Sequence, residues 1–85
     1  MTQSSARELA RLRWRCRRGL RELDELLIRY LERHYQDASE PERRAFDGLM
    51  ELTTPDLLDK MLGRAVPASL DEEELLDVIR STAGG

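Results

Sequence analysis

The chain has 85 residues, enough for one domain and too few for two. Hydrophobic residues make 40% and charged residues 36%, the balance of a helix-prone water-soluble domain, and no apolar run approaches the roughly 20 residues that span a bilayer. One cysteine excludes an intrachain disulfide, one histidine excludes a histidine pair for a metal or a relay, and five scattered glycines spell no phosphate-cradling G-x-G-x-x-G or P-loop.

The formal net charge of −3 conceals a division. Among the first 21 residues, Arg7, Arg11, Arg13, Arg15, Arg17, Arg18 and Arg21 face only Glu8, a net of +6, whereas the other 64 residues carry seven basic and sixteen acidic groups, a net of −9. A basic head on an acidic body attracts an acidic partner, be it nucleic acid, an anionic membrane surface, an anionic cofactor or a protein. The Arg-rich start has the composition of a transit peptide but runs without a break into the first apolar pattern. The expectation is therefore mature sequence throughout, with residues 1–4 and 83–85 as loose tails of a single domain over 1–85.

Leu9, Leu12, Cys16, Leu20, Leu23, Leu27 and Leu31 recur at steps of three and four, one face of a helical pattern. Gly19 interrupts it, because glycine weakens a helix interior and readily takes the left-handed conformation that ends one. The pattern thus predicts a first helix over about Ala6 to Arg18, with Arg17 and Arg18 at its cation-favouring end, and a second over about Arg21 to His34. Gln36, Asp37 and Ala38 are a polar break. Ser39 then stands three residues before Glu42 with Pro41 between, a capping-box start for a third helix that carries Ala45, Phe46, Leu49 and Met50 inward and ends near Leu52. Thr54 is the expected cap of a short fourth helix opened by Pro55, with Leu57, Leu58, Met61 and Leu62 on one side and Gly63 as its stop. Ser69 caps a fifth, in which Asp71, Glu72, Glu73 and Glu74 complement the helix dipole as surface charge and Leu75, Leu76 and Ile79 face inward. Nothing alternates with period two. The fold class is all-α, a compact five-helix bundle.

No set of residues assembles into a catalytic constellation. Cys16 lies on the apolar stripe, where a lone cysteine is a small buried hydrophobe. His34, near a helix end, suits capping or the surface. The carboxylates lack the cleft a general acid/base pair requires. Trp14 is the odd residue, about 140° around the helix from Leu9 and among arginines. Pattern alone leaves open whether it packs on a later helix or anchors a protein interface, where Trp and Arg are enriched. Gly19 has two readings as well. It is a helix stop, or a residue whose missing side chain lets a partner's backbone approach between Arg18 and Glu22.

The run Trp14-Arg15-Cys16-Arg17-Arg18-Gly19-Leu20-Arg21-Glu22-Leu23-Asp24 resembles the signature of the succinate dehydrogenase flavinylation factors, the small assembly-factor family called SdhE in bacteria. Their hallmark R-G-x-x-E stands here as Arg18-Gly19-Leu20-Arg21-Glu22, preceded by the tryptophan and C-R-R at the usual spacing. Further likeness lies at Tyr35, at Ser39 to Phe46 and at Pro55-Asp56-Leu57-Leu58, so that it spans about Arg11 to Pro67; Thr54 stands where members commonly carry an acid.

The resemblance implies a five-helix protein that promotes covalent attachment of FAD to a histidine of the flavoprotein subunit of succinate dehydrogenase, and in bacteria of the related fumarate reductase. It implies no enzyme: the helper orients the FAD-loaded flavoprotein and needs no nucleophile of its own. It binds no cofactor stably, FAD being the group attached to the partner. The implied partner-binding residues are Arg18, Gly19 and Glu22, with Trp14, Arg17 and Asp24 beside them and Arg11 and Arg21 as charged neighbours. Neither nucleic acid nor insertion into a membrane is implied, and the expected compartment is a bacterial cytoplasm. Two other classes are compatible with the residues. A nucleic-acid-binding module using the basic first helix would lose affinity steeply with salt, although no helix-turn-helix, RNA-binding or zinc-finger pattern accompanies that helix. An antitoxin-like regulator, a role once proposed for bacterial members of this family, would have a toxin gene beside its own.

Overall fold

The computed structural model of the chain describes residues 6–82, and the three-to-four spacing of its apolar residues emerges there as five helices with no strand among the described residues. They are α1 (Ala6–Arg15), α2 (Arg21–Arg33), α3 (Glu40–Met50), α4 (Thr54–Met61) and α5 (Leu70–Thr82), with one 3-10 turn, Tyr35–Asp37, between α2 and α3. The tails expected at residues 1–4 and 83–85 lie outside the described residues.

The core is built from one stripe of each of four helices. Leu23, Leu27, Tyr30 and Leu31 of α2, Phe46, Leu49 and Met50 of α3, Leu57 and Met61 of α4, and Leu75, Leu76 and Ile79 of α5 are buried together, joined by Cys16 and Tyr35 from the connecting turns. Helices α2, α3 and α4 all pack on α5, which forms the centre of the bundle. Helix α1 contributes no fully buried residue and leans on α2 and α3 through the half-buried Leu9 and Leu12. The aromatic rings stack within this core, Tyr30 against Phe46 at 4.9 Å and Tyr35 against Phe46 at 5.6 Å between centroids. Both phenols reach polar partners: Tyr30 donates to Glu42 Oε2 (2.6 Å) and Tyr35 to Asp47 Oδ1 (3.1 Å), so neither hydroxyl is buried unsatisfied.

The caps follow the sequence with one shift. Ser39 Oγ accepts from the Glu42 amide at 3.3 Å and Ser69 Oγ from the Glu72 amide at 3.1 Å, as their spacings predict. The cap of α4 is Thr53, whose hydroxyl accepts from the Asp56 amide at 3.3 Å, and not the expected Thr54, which is the first helical residue. Two adjacent threonines before a proline offer two registers, and proline is accepted at either of the first two helical positions.

Other departures have equally local causes. Helix α1 stops at Arg15 rather than Arg18, because the Arg18 and Gly19 amides turn away to the Asp24 carboxylate and Gly19 takes φ +89°. Leu20, freed from the stripe by that turn, is 41% exposed, and Leu62, beyond the end of α4, is 55% exposed. Tyr35 is buried although it enters a polar break, since the 3-10 turn folds it under α3, where Arg43 donates to its carbonyl (3.0 Å) and to that of Gln36. Glu72, expected on the surface with its three acidic neighbours, is buried. Its carboxylate accepts from Lys60 Nζ (2.6 Å) and from the Ala68 amide (2.9 Å) and so ties α4 to the start of α5.

Candidate functional site

The turn between α1 and α2 carries the R-G-x-x-E run, and its shape is dictated by two side chains within it. Asp24, one turn into α2, reaches back so that Oδ1 accepts from the Arg18 amide at 2.7 Å and Oδ2 from the Gly19 amide at 3.1 Å. Two successive N–H groups are thereby satisfied at a place where neither helix can serve them. Arg18 lies against the protein. Its Nε donates to the Arg15 carbonyl at 2.9 Å, closing the end of α1, while Nη1 and Nη2 donate to the carbonyls of Leu52 (2.6 Å) and Met50 (2.8 Å) at the end of α3. A cation on the carbonyls that end a helix satisfies unpaired acceptors and opposes the negative pole of the dipole. In one of the two readings of Gly19, Arg18 and Glu22 flank the gap above it; in the structure the Arg18 guanidinium faces α3.

Around this frame the other residues project outward. Trp14 is 75% exposed and stands on the solvent side of α1, which answers the question its pattern left open: it packs on no later helix. Arg11, Arg17, Gly19, Arg21 and Glu22 are exposed with it. The Arg21 side chain has a long ion pair to Glu25, at 3.6 Å, while the side chains of Arg11, Arg17 and Glu22 make no hydrogen bond or ion pair among the described residues. A Cβ at Gly19 would meet nothing within 4 Å, so the glycine is required there by its positive φ and leaves open space above the turn. The head is fastened to the body by two further ion pairs, Arg13 to Glu32 of α2 and Arg15 to Glu51 just past α3.

The interior beneath the turn is inert. Cys16 is fully buried, with its Sγ 4.0 Å from Met50 Sδ, and burial pushes its thiol up to about 12 against the opposing field of Arg18, so it stays a neutral thiol at physiological pH. His34 is exposed, its amide donates to the Tyr30 carbonyl at 2.8 Å, and its ring lies 5.7 Å from that of Tyr30. Among the described residues no three histidines, cysteines or carboxylates gather as a metal site, and no helix is long and apolar enough to cross a membrane. A small polar cleft between α1 and α3 is lined by Glu8, Arg11, Arg15, Tyr35, Asp47 and Glu51. Burial raises the Asp47 carboxyl there above the usual range, opposed by the hydrogen bond from Tyr35.

What this arrangement offers is a surface: a held turn, an exposed indole, and the side chains of Arg11, Arg17 and Glu22 unpaired among the described residues. The framing of the turn by Arg18 could not be found from the sequence, since its acceptors are backbone carbonyls 32 and 34 residues away. The burial of Glu72 could have been, because positions 72, 75, 76 and 79 share one helical face and the acid sits on it.

Residues 10–83 match the family described as flavinator of succinate dehydrogenase. Among similar proteins are the FAD assembly factors SdhE of Vibrio vulnificus, 38% identical over 72 residues that cover 85% of this chain and 84% of the relative, and of Aliivibrio fischeri, 35% identical over 75 residues covering 88% and 87%. The SdhE of Yersinia pseudotuberculosis is 35% identical over 72 residues, covering 85% of this chain and 82% of its own. With a match that runs from within α1 to beyond the last turn of α5 and takes in the whole framed turn, this chain belongs to the succinate dehydrogenase flavinator family.

Proposed function

We propose that this protein promotes covalent attachment of FAD to the flavoprotein subunit of succinate dehydrogenase, with fumarate reductase as a second client, by docking its framed turn on the flavoprotein and holding it in the reactive geometry. The observation that carries the reading is the exposure of Trp14, Arg11, Arg17, Gly19, Arg21 and Glu22 in and beside a turn that Asp24 and Arg18 fix from within. A rigid aromatic residue among unpaired arginines is the composition of a protein-binding hot spot, and an excess of positive charge suits an acidic partner surface. Glu22 supplies one negative point within the positive field and so restricts which partner surface fits.

Assistance of this kind asks for orientation and not for chemistry on the helper. FAD supplies the ring that becomes bonded and the flavoprotein supplies the histidine, while this chain contributes binding energy that favours the aligned state. Its buried neutral thiol and solvent-facing His34 fit a protein that neither takes nor gives a proton in the reaction. FAD is cargo on the partner and is not held stably by this chain.

The test is direct. Purified protein is mixed with apo-flavoprotein and FAD, and flavin fluorescence is sought in the flavoprotein band of a denaturing gel. The expected result is a fluorescent band that grows faster with this protein present, together with a blue shift of Trp14 emission as the indole leaves water. Flavin attachment at the same rate with and without the protein contradicts the proposal.

A further inference from the structure

We infer that Arg18 and Asp24 are positioning residues that act on the partner only through the turn they hold: Arg18 fastens residues 16–20 to the end of α3, Asp24 fixes the amides of the same turn, and neither side chain meets the partner. The inference rests on the reading that this face binds the flavoprotein and changes which residues of the face do the binding.

The geometry leaves each group little to offer outward. Three of the five N–H donors of Arg18 are committed to carbonyls at three points of the chain, Arg15, Met50 and Leu52, at 2.6 to 2.9 Å. Turning the guanidinium toward a partner would strip the end of α3 of its donors and leave carbonyls in a partly buried place without hydrogen bonds. Both oxygens of Asp24 are likewise taken, by the Arg18 and Gly19 amides. The two residues also act as a unit, since Asp24 holds the backbone of the very residue whose side chain grips α3. A planar fork is needed for this grip. A lysine ammonium keeps the charge but cannot bridge carbonyls two residues apart while also closing α1.

A second anchor lands at the same spot. Arg15, the last residue of α1, pairs with Glu51 between the two carbonyls that Arg18 takes. The segment Met50 to Leu52 is thus the seat of the turn, and the R-G-x-x-E run is completed by backbone that is remote in the sequence. Arg17, adjacent to Arg18 and carrying the same charge, has no such tie among the described residues and is, like Arg11, a cation exposed to an acidic partner.

The experiment compares Arg17→Gln, Arg18→Lys, Arg18→Gln and Asp24→Asn, measuring binding to the apo-flavoprotein subunit over a series of salt concentrations and hydrogen exchange of the Gly19 amide in the free protein. A cation that meets the partner sets the salt dependence of binding; a cation that holds a turn does not. Arg18→Lys is expected to weaken binding about tenfold at every salt concentration, with the slope of affinity against salt unchanged and Gly19 exchange accelerated. Asp24→Asn, which keeps one carbonyl acceptor, is expected to behave as a milder form of the same defect. Arg17→Gln is expected to flatten the salt slope and leave Gly19 exchange alone. Binding by Arg18→Lys equal to that of the unmodified chain, or flattening of the slope by Arg18→Gln as strong as by Arg17→Gln, overturns the positioning role while the functional reading stands. Absence of binding by the unmodified chain overturns the functional reading and this inference with it.

Discussion

Two junctions of this molecule are built by the same device and put to different uses. At the α1–α2 turn, Arg18 places its guanidinium on the carbonyls that end α3. Beyond α4, Arg80 does the same for the carbonyls of Lys60 and Met61, at 2.9 Å each. In each case a carboxylate completes the lock by accepting from the backbone of the connector, Asp24 from two amides at the first and Glu72 from one at the second. The difference lies in what surrounds the lock. Glu72 is neutralised by the largely buried Lys60, and its junction is part of the α4–α5 packing. Around Arg18 the side chains of Arg11, Arg17 and Glu22 have no partner among the described residues, and Trp14 is 75% exposed. One construction thus closes a fold, while the other presents a surface.

That contrast predicts a gradient of stability effects running opposite to the gradient of functional ones. Leu27→Ala, at a fully buried site in the centre of the bundle, is expected to cost about 2–5 kcal/mol in a denaturant melt. Leu9→Ala, on the half-buried face of α1, should cost markedly less, and equal losses at the two sites would mean that α1 is as much a part of the core as α2. Next in size is the tail lock. Glu72→Ala leaves Lys60 in a largely buried place without its counter-ion and should cost about 3 kcal/mol, yet flavin attachment measured at a temperature where the variant is folded should be normal. Trp14→Ala reverses the pattern: its melting curve should stay within about 0.5 kcal/mol of the unmodified protein, while its stimulation of flavin attachment falls.

The smallest effect concerns pH. Burial holds the Asp47 carboxyl above its ordinary pKa, so the folded state keeps that proton to higher pH than the unfolded chain does. Stability from this residue is therefore greatest below the unfolded value of about 4 and falls as pH rises through the raised folded value. In Asp47→Asn, where the amide oxygen can still accept from Tyr35, that decline should vanish from a series of melts between pH 3 and 7. A decline of unchanged size would assign it to another carboxylate.

The bundle was legible because its evidence is local. Apolar residues at steps of three and four, Ser39 and Ser69 at cap positions and a glycine at each of two helix ends are consequences of helical geometry that leave marks a few residues apart. Cys16 was readable for the same reason, since it falls on the stripe. The exposure of Trp14 was only half readable: its angle away from Leu9 showed that it leaves the stripe, but whether a later helix covers that side depends on packing. The roles of Arg18 and Glu72 were hidden for opposite reasons. Arg18 acts on carbonyls, which every residue possesses, so no side-chain pattern marks its seat. Glu72 did lie on the apolar face of α5, but three like neighbours disguised it. Thus the candidate site could be proposed from the motif, whereas the hydrogen bonds that hold its turn required the fold.

The claim that the head is the working surface and the tail is not can be tested in a single assay. Glu22→Ala and Glu73→Ala each remove one exposed carboxylate that has no hydrogen-bonded side-chain partner among the described residues, at the head and at the start of α5 respectively, so neither should change the melting curve by more than about 0.5 kcal/mol. Covalent flavin on the apo-flavoprotein, read as fluorescence in a denaturing gel over time, should be lost or greatly slowed with Glu22→Ala and should match the unmodified protein with Glu73→Ala. Equal stimulation by both folded variants would contradict the account, because the framed turn would then be an ordinary helix boundary and the docking surface would lie elsewhere.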